Sequence, residues 1–145
     1  MIWLLRHGDA EDGTPDGERR LTEKGERQAR AAGATLAALD VKIEACFASP
    51  KVRAADTARL ACEALGLEAQ HEPRLAGGPF DPEEVAAGLD HVLLVGHDPD
   101  FSMAVHAATG AQVRMAKGGL AGIDSGELRV LMRPAQLGLI AGSAG

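Results

Sequence analysis

The order of elements along this chain predicts an α/β fold, a three-layer α/β/α sandwich around a mostly parallel central sheet. Three observations carry the prediction. Short apolar runs recur without polar alternation, as strands covered on both faces require. Amphipathic helical patterns separate those runs. A late Ser125-Gly126 pair between two strand-like stretches marks a hairpin.

The first run is Ile2-Trp3-Leu4-Leu5, directly followed by Arg6-His7-Gly8. Thr22 then suits the N-cap of a helix, with Leu21 just before the cap. Ala29, Ala32, Leu36 and Leu39 recur on one face of that helix. The second run is Ala45-Cys46-Phe47-Ala48, and a helix is expected to start at Ser49-Pro50. It carries Val52, Ala55, Ala58, Cys62 and Leu65 on one side and stops at Gly66.

Asp81-Pro82 and Asp98-Pro99 repeat the arrangement of a cap followed by proline. They are expected to open a short helix ending near Gly88 and another running to about Ala108, on either side of the third apolar run, Val92-Leu93-Leu94-Val95. The hairpin pairs residues 120–124 with 127–132, where Leu128, Val130 and Met132 alternate with outward-facing neighbours. The tail after Pro134 is rich in small residues and is expected to dock loosely. No repeat or linker interrupts the chain, so residues 1–145 read as one domain with a peripheral tail from about 134 to 145.

A chain of 145 residues buries roughly 70% of its unfolded surface. Aromatic residues are only 3%, so Leu, Val, Ile and Ala must build the core. The net charge of -6 argues against a general nucleic-acid binder. No run approaches the roughly 18 apolar residues of a membrane span. The first strand begins at Ile2, which leaves no room for a signal peptide. Cys46 and Cys62 lie in apolar patterns, form no CxxC and read as buried thiols of a reducing compartment. A cytoplasmic monomer with no nucleic-acid or membrane partner is expected.

Each buried strand ends in polar chemistry. The segments are Arg6-His7-Gly8, Ser49-Pro50-Lys51-Val52-Arg53 and Gly96-His97-Asp98-Pro99. Parallel strands would bring all three to one rim, where α/β sheets bind ligands. Arginine forks onto phosphate oxygens. Glycine lets a ligand approach the backbone, and a neutral imidazole nitrogen can attack phosphorus. Arg53 falls in the first helical turn, near free amides and the positive dipole end. Two arginines, two histidines and helix N-termini define an anion site. His7, His97, Asp9 and Asp98 are donor types that zinc accepts, but Arg6 and Arg53 flank the same point and repel a cation. No metal or cofactor is expected.

The segments RHG at 6–8, SPKVRAADTA at 49–58 and GHDP at 96–99, in this order, resemble the histidine phosphatase superfamily, also called phosphoglycerate-mutase-like. The stretch RHGDA followed by DGERRLTEKG at 16–25 is most similar to the SixA-type phosphohistidine phosphatases. The resemblance implies a phosphoglycerate-mutase-like fold and a transiently phosphorylated nucleophile at His7. It implies a phosphate pocket of Arg6, Arg53 and His97. Arg19 matches the arginine of a D-x-x-R-x-L-T pattern that begins at Asp16, so a substrate contact is implied there; Arg20 occupies a position that is often proline.

Asp98, before Pro99, reads as a helix cap, with proton donation to the leaving group as the alternative. Asp9 reads as a loop organiser, with the same alternative. Ser49 reads as a cap and Lys117 as a solvated lysine at the pocket rim. His71, His91 and His106 read as structural or exposed. Relatives that act on phosphate esters carry a glutamate acid soon after the third sheet segment, in a longer insertion. Here that stretch, residues 71–78, is short, and Glu72 precedes Leu75 rather than following it. An alkoxide needs acid help worth about 10²–10⁴-fold, whereas a phosphoramidate nitrogen can leave already protonated. The expected substrate is therefore a phosphohistidine-bearing protein, such as a phosphotransfer domain. The alternatives are a phosphatase of small phosphate esters and a non-catalytic phospho-ligand-binding module.

Overall fold

The computed structural model describes residues 1–144. The strands are β1 (Ile2–Arg6), β2 (Ala45–Ala48), β3 (Ala69–His71), β4 (Val92–Gly96), β5 (Leu120–Asp124) and β6 (Glu127–Met132). The helices are α1 (Glu23–Ala38), α2 (Val52–Leu65), α3 (Pro82–Ala86), α4 (Asp100–Thr109) and α5 (Pro134–Ala144). The sheet order is β3-β2-β4-β1-β5-β6. Strands β1 to β4 pair in parallel; β5 pairs antiparallel with β1, and β6 antiparallel with β5.

Alternate residues of each central strand enter opposite cores. Trp3, Leu5, Cys46, Ala48, Leu93 and Val95 face α1, α2 and α5. Ile2, Leu4, Val92 and Leu94 face Val85 of α3 and Phe101 and Val105 of α4. The architecture is thus the expected three-layer α/β/α sandwich around a mostly parallel sheet. It places the C-terminal ends of β1, β2 and β4 side by side.

Local chemistry sets the element ends. The Thr22 hydroxyl accepts the Gly25 amide at 3.1 Å and caps α1. Gly66 closes α2 in the left-handed conformation, with φ 68°. The Asp81 carboxylate accepts the Glu83 amide at 3.0 Å and caps α3. Ser125 and Gly126, with φ 50° and 74°, supply the two left-handed residues of a tight hairpin turn. Both cysteines are free and buried; the hydrogen bond to Cys62 and burial hold the Cys46 thiol well above its ordinary pKa. Among the described residues no helix is long and apolar enough to cross a membrane.

Three expectations need correction, and one strand was not expected. The tail is no loose end: α5 packs on α1, Leu137 is fully buried, and its carbonyl accepts the Thr35 hydroxyl at 2.9 Å. Its small residues permit close docking, which local composition does not reveal. Helix α2 begins at Val52 rather than Ser49, and its core face is Ala54, Ala58, Ala61 and Cys62. Leu39 is 49% exposed because the chain leaves α1 there and its backbone is no longer helical. The edge strand β3, Ala69-Gln70-His71, carries no apolar run and forms by pairing with β2.

Candidate active site

The end of β1 delivers His7 between two backbone anchors. Its amide donates to the Gly96 carbonyl of β4 at 2.9 Å, and its carbonyl accepts the Gly118 amide at 2.9 Å. Gly8 lies so close to α1 that a Cβ would sit 2.6 Å from the Gly25 carbonyl oxygen. A Cβ on Gly25 would in turn collide with the Asp9 carbonyl. Two glycines thus let the loop after β1 rest on the first turn of α1. The Gly8 amide donates to the Thr57 hydroxyl at 3.1 Å, tying the same loop to α2.

His7, Arg53 and His97, from the ends of three different strands, come together, and each is 6% exposed. The two imidazole centroids are 5.3 Å apart, and Arg53 Nε donates to His7 Nε2 at 3.4 Å. The tautomer of His7 follows from its other nitrogen. Nδ1 lies 2.7 Å from the Gly8 carbonyl oxygen, which can only accept, so Nδ1 carries the proton and Nε2 the lone pair.

His97 is oriented by Ser49. Ser49 Oγ accepts the Lys51 amide at 3.2 Å and lies 2.8 Å from His97 Nε2. The hydroxyl proton is best spent on that nitrogen, which leaves the ring proton on Nδ1. His97 Nδ1 and Arg6 Nε are buried without a partner. Buried donors are rarely left so, and both lie in this cluster. Unspent donors beside a lone-pair nitrogen form a cradle for an anion.

Burial is the main reason both rings resist protonation. It lowers the His7 pKa to about 4, with further lowering by the charges of Arg53, Arg6 and Arg19, against an upward pull from the Gly8 hydrogen bond. It lowers the His97 pKa to about 3, helped by His7, Arg53 and Lys51. The charges of the pocket cations lower both values further, by less than burial does.

Arg6 is held by the segment that follows α4. Its Nη1 donates to the Met115 carbonyl at 2.8 Å. The Met115 amide donates to Ser102 Oγ at 3.0 Å, and Ser102 Oγ donates to the Asp98 carboxylate at 2.7 Å. The Asp98 carboxylate also accepts the Ser102 amide at 2.9 Å. The cap position of α4 is Pro99 and the helix starts at Asp100, so Asp98, the expected cap, stands one residue outside that position; from there its carboxylate accepts from the first turn and links the third motif to the first. Asp9 organises its loop: its carboxylate accepts the Thr22 hydroxyl at 2.9 Å and lies 3.6 Å from Lys117 Nζ. Glu72 is held by Arg74 through its side chain and its amide, which lowers the Glu72 pKa.

Of the two loop arginines, it is Arg19 whose charge acts on His7. Its side chain bonds Asp16 at 3.1 Å and the Glu11 carbonyl at 3.1 Å. The least expected participant is Asp16. Its carboxylate lies 3.2 Å from Arg53 Nη2, 3.1 Å from Arg19 Nε and 3.5 Å from Lys51 Nζ. The Arg53 hydrogen bond and charge lower its pKa to about 2. Sequence reasoning also missed the supporting roles of Thr57 and Ser49. The only signal was position: Asp16 opens the D-x-x-R pattern and Ser49 ends a buried strand. The described residues contain no group of three or more His, Cys, Asp or Glu side chains placed to hold a metal ion.

A strand-end histidine whose Nε2 keeps its lone pair, flanked by arginines and unspent donors on an α/β/α sandwich, is the arrangement of a phosphoryl-binding protein. The family model of the histidine phosphatase superfamily (branch 1) matches residues 2–81, and this chain belongs to that superfamily of phosphatases and mutases. It is 34% identical to an uncharacterized protein of Picosynechococcus sp. over 89% of this chain and 87% of that one. The structure of the protein histidine phosphatase SixA complexed with tungstate is similar, with TM-score 0.80 and 28% identity over 94% of this chain and 98% of the other. The alpha-ribazole phosphatase of Shigella flexneri shares the fold at TM-score 0.71 and 18% identity, over 92% and 96% of the two chains.

Proposed function

We propose that this protein is a phosphohistidine phosphatase working through two phosphoryl transfers at His7. The observation that carries the reading is the state of its carboxylates. Asp98 is committed to Ser102 and Asp9 to Thr22 and Lys117. Glu72 is tied to Arg74, and Asp16 is surrounded by cations that keep it ionised. All four are held in hydrogen bonds or ion pairs with neighbouring side chains, and none stands free to hand a proton to an alkoxide. A phosphoramidate leaves as neutral imidazole when its free ring nitrogen is already protonated, and needs no such acid. The similarity to SixA supports the same substrate class.

In the first step the Nε2 lone pair of His7 attacks phosphorus. The substrate P–N bond breaks, and its electron pair stays on the leaving imidazole. Arg6, Arg53 and the Nδ1 proton of His97 bind the phosphoryl oxygens, whose charge they offset throughout the transfer. Arg19 supplies further positive charge from the loop. In the second step water attacks phosphorus, its two protons end on the phosphate oxygens, and the P–Nε2 bond returns its pair to His7. The Gly8 carbonyl holds the Nδ1 proton throughout, so His7 also departs as a neutral ring. No metal or cofactor takes part in this scheme. The proposed substrate is a phosphohistidine-bearing protein such as a phosphotransfer domain, met in the cytoplasm by a monomeric enzyme; the two free, buried thiols support a reducing compartment.

The test compares kcat/KM, without added metal, on a phosphohistidine-carrying phosphotransfer domain and on a panel of small phosphate monoesters. A strong preference for the phosphoprotein is expected, with activity surviving exhaustive chelation and lost in His7→Ala. A small ester that wins the comparison sinks the substrate reading. In that event Asp98→Asn, which still accepts from the first turn of α4, shows whether Asp98 protonates an alcohol.

A further inference from the structure

We infer that a basic groove beside the catalytic rim docks an acidic surface of the protein that carries the phosphohistidine. This inference rests on the proposed function and adds a partner-recognition site to it. The groove has a volume of about 450 Å³ and is lined by Asp9, Lys24, Gln28, Lys117, Arg133 and Pro134. Lys24 lies in the first turn of α1, Lys117 just before β5, and Arg133 between β6 and α5.

The groove is continuous with the His7 loop. Asp9 follows His7 by two residues, and its amide donates to Gln28 Oε1 at 2.8 Å. Gly118, next to Lys117, donates its amide to the His7 carbonyl. Because β5 runs antiparallel beside β1 and β6 runs antiparallel beside β5, the start of β5 and the end of β6 lie on the rim where β1 and β4 end. A protein that inserts a histidine side chain at His7 must rest part of its own surface on this rim.

Charge identifies what that surface should carry. The chain as a whole is acidic, with net charge -6. Many of its cations are neutralised internally, among them Arg30 by Glu26, Lys42 by Asp40, Arg74 by Glu72 and Arg129 by Glu127. Lys24 and Arg133 differ. Both are exposed, and neither forms an ion pair among the described residues. The groove's one carboxylate, Asp9, is already engaged by Thr22 and Lys117. Three cations against one committed carboxylate leave a local positive field on a negative protein. Such a field steers and orients an acidic partner. A free phosphohistidine, which does not extend beyond the pocket, would not feel it at contact distance.

The test is the double variant Lys24→Glu/Arg133→Glu, assayed on an acidic phosphohistidine-carrying phosphotransfer domain and on free phosphohistidine. Both reversals place an acid in or just before the first turn of a helix, where the macrodipole favours it, so the fold is retained. We expect kcat/KM on the phosphoprotein to fall about tenfold or more, mainly through KM, while the rate on free phosphohistidine stays within about twofold. The wild-type rate on the phosphoprotein should also fall more steeply with added salt than the variant rate. An unchanged rate on the phosphoprotein overturns the docking site alone, as does an equal loss on both substrates. Failure of the wild type to turn over the phosphoprotein overturns the functional reading, and the docking site with it.

Discussion

Arg53 and Asp16 meet through two contacts: Nη1 donates to the Asp16 carbonyl oxygen at 2.8 Å, and Nη2 reaches its carboxylate at 3.2 Å. The third donor, Nε, points at His7. The guanidinium is thus aligned on the nucleophile by one edge and held by a carboxylate at the other. That carboxylate is 59% exposed and stands where a second anion would compete for the same cations.

Asp16→Asn removes the competing charge and keeps the backbone contact. Orthophosphate should then inhibit more tightly, by up to about fivefold, the scale of an exposed ion pair. An inhibition constant that rises would show that Asp16 assists anion binding instead.

The histidines should remain neutral far below their ordinary range. Their native pKa values, about 4 for His7 and about 3 for His97, lie beneath the unfolded value of 6.5. Between those limits the unfolded chain binds protons that the native state does not. The stability they confer is therefore complete above pH 6.5 and is lost as pH falls toward 4 and then 3. Imidazole NMR should show His7 as the Nδ1–H tautomer at pH 7, with its midpoint well under 6. His97→Gln should flatten the acid side of the stability curve. A His7 midpoint near 6.5 would contradict the buried, cation-flanked site.

Ser49→Ala tests the orientation of His97. It leaves His97 Nε2 without its hydrogen bond in a buried site, at a cost of about 1–3 kcal/mol in stability. Catalysis should fall by about tenfold through kcat, with Ser49→Thr recovering part of it. Equal activity in wild type and Ser49→Ala would mean that packing alone holds the ring.

Gly25→Ala tests the support of the His7 loop. Its Cβ would collide with the Asp9 carbonyl, which has no flexible side chain to yield. We expect a loss of about 1–3 kcal/mol in stability, as for overpacking elsewhere, with reduced activity in the folded fraction. Thermal melting and active-site titration together separate the two effects.

Much of this protein was legible along the chain. The apolar runs at β1, β2 and β4 mark doubly covered strands because burial on both faces removes alternation. Thr22, Gly66 and Asp81 mark helix ends because capping is local chemistry. His7, Arg53 and His97 could be grouped because parallel strands bring their carboxyl ends to one edge. Other features had no local signature. Strand β3 exists by pairing with β2, and α5 by packing on α1. The Asp16–Arg53 contact spans 37 residues and the Ser49–His97 contact 48, so neither leaves a periodicity in the chain. Which strands are buried and which residues end them can be read from the order of the amino acids. The His7 tautomer, the anchoring of Arg53 and the commitment of each carboxylate arise only in the folded chain. Those depend on distances between segments that meet only when the sheet assembles.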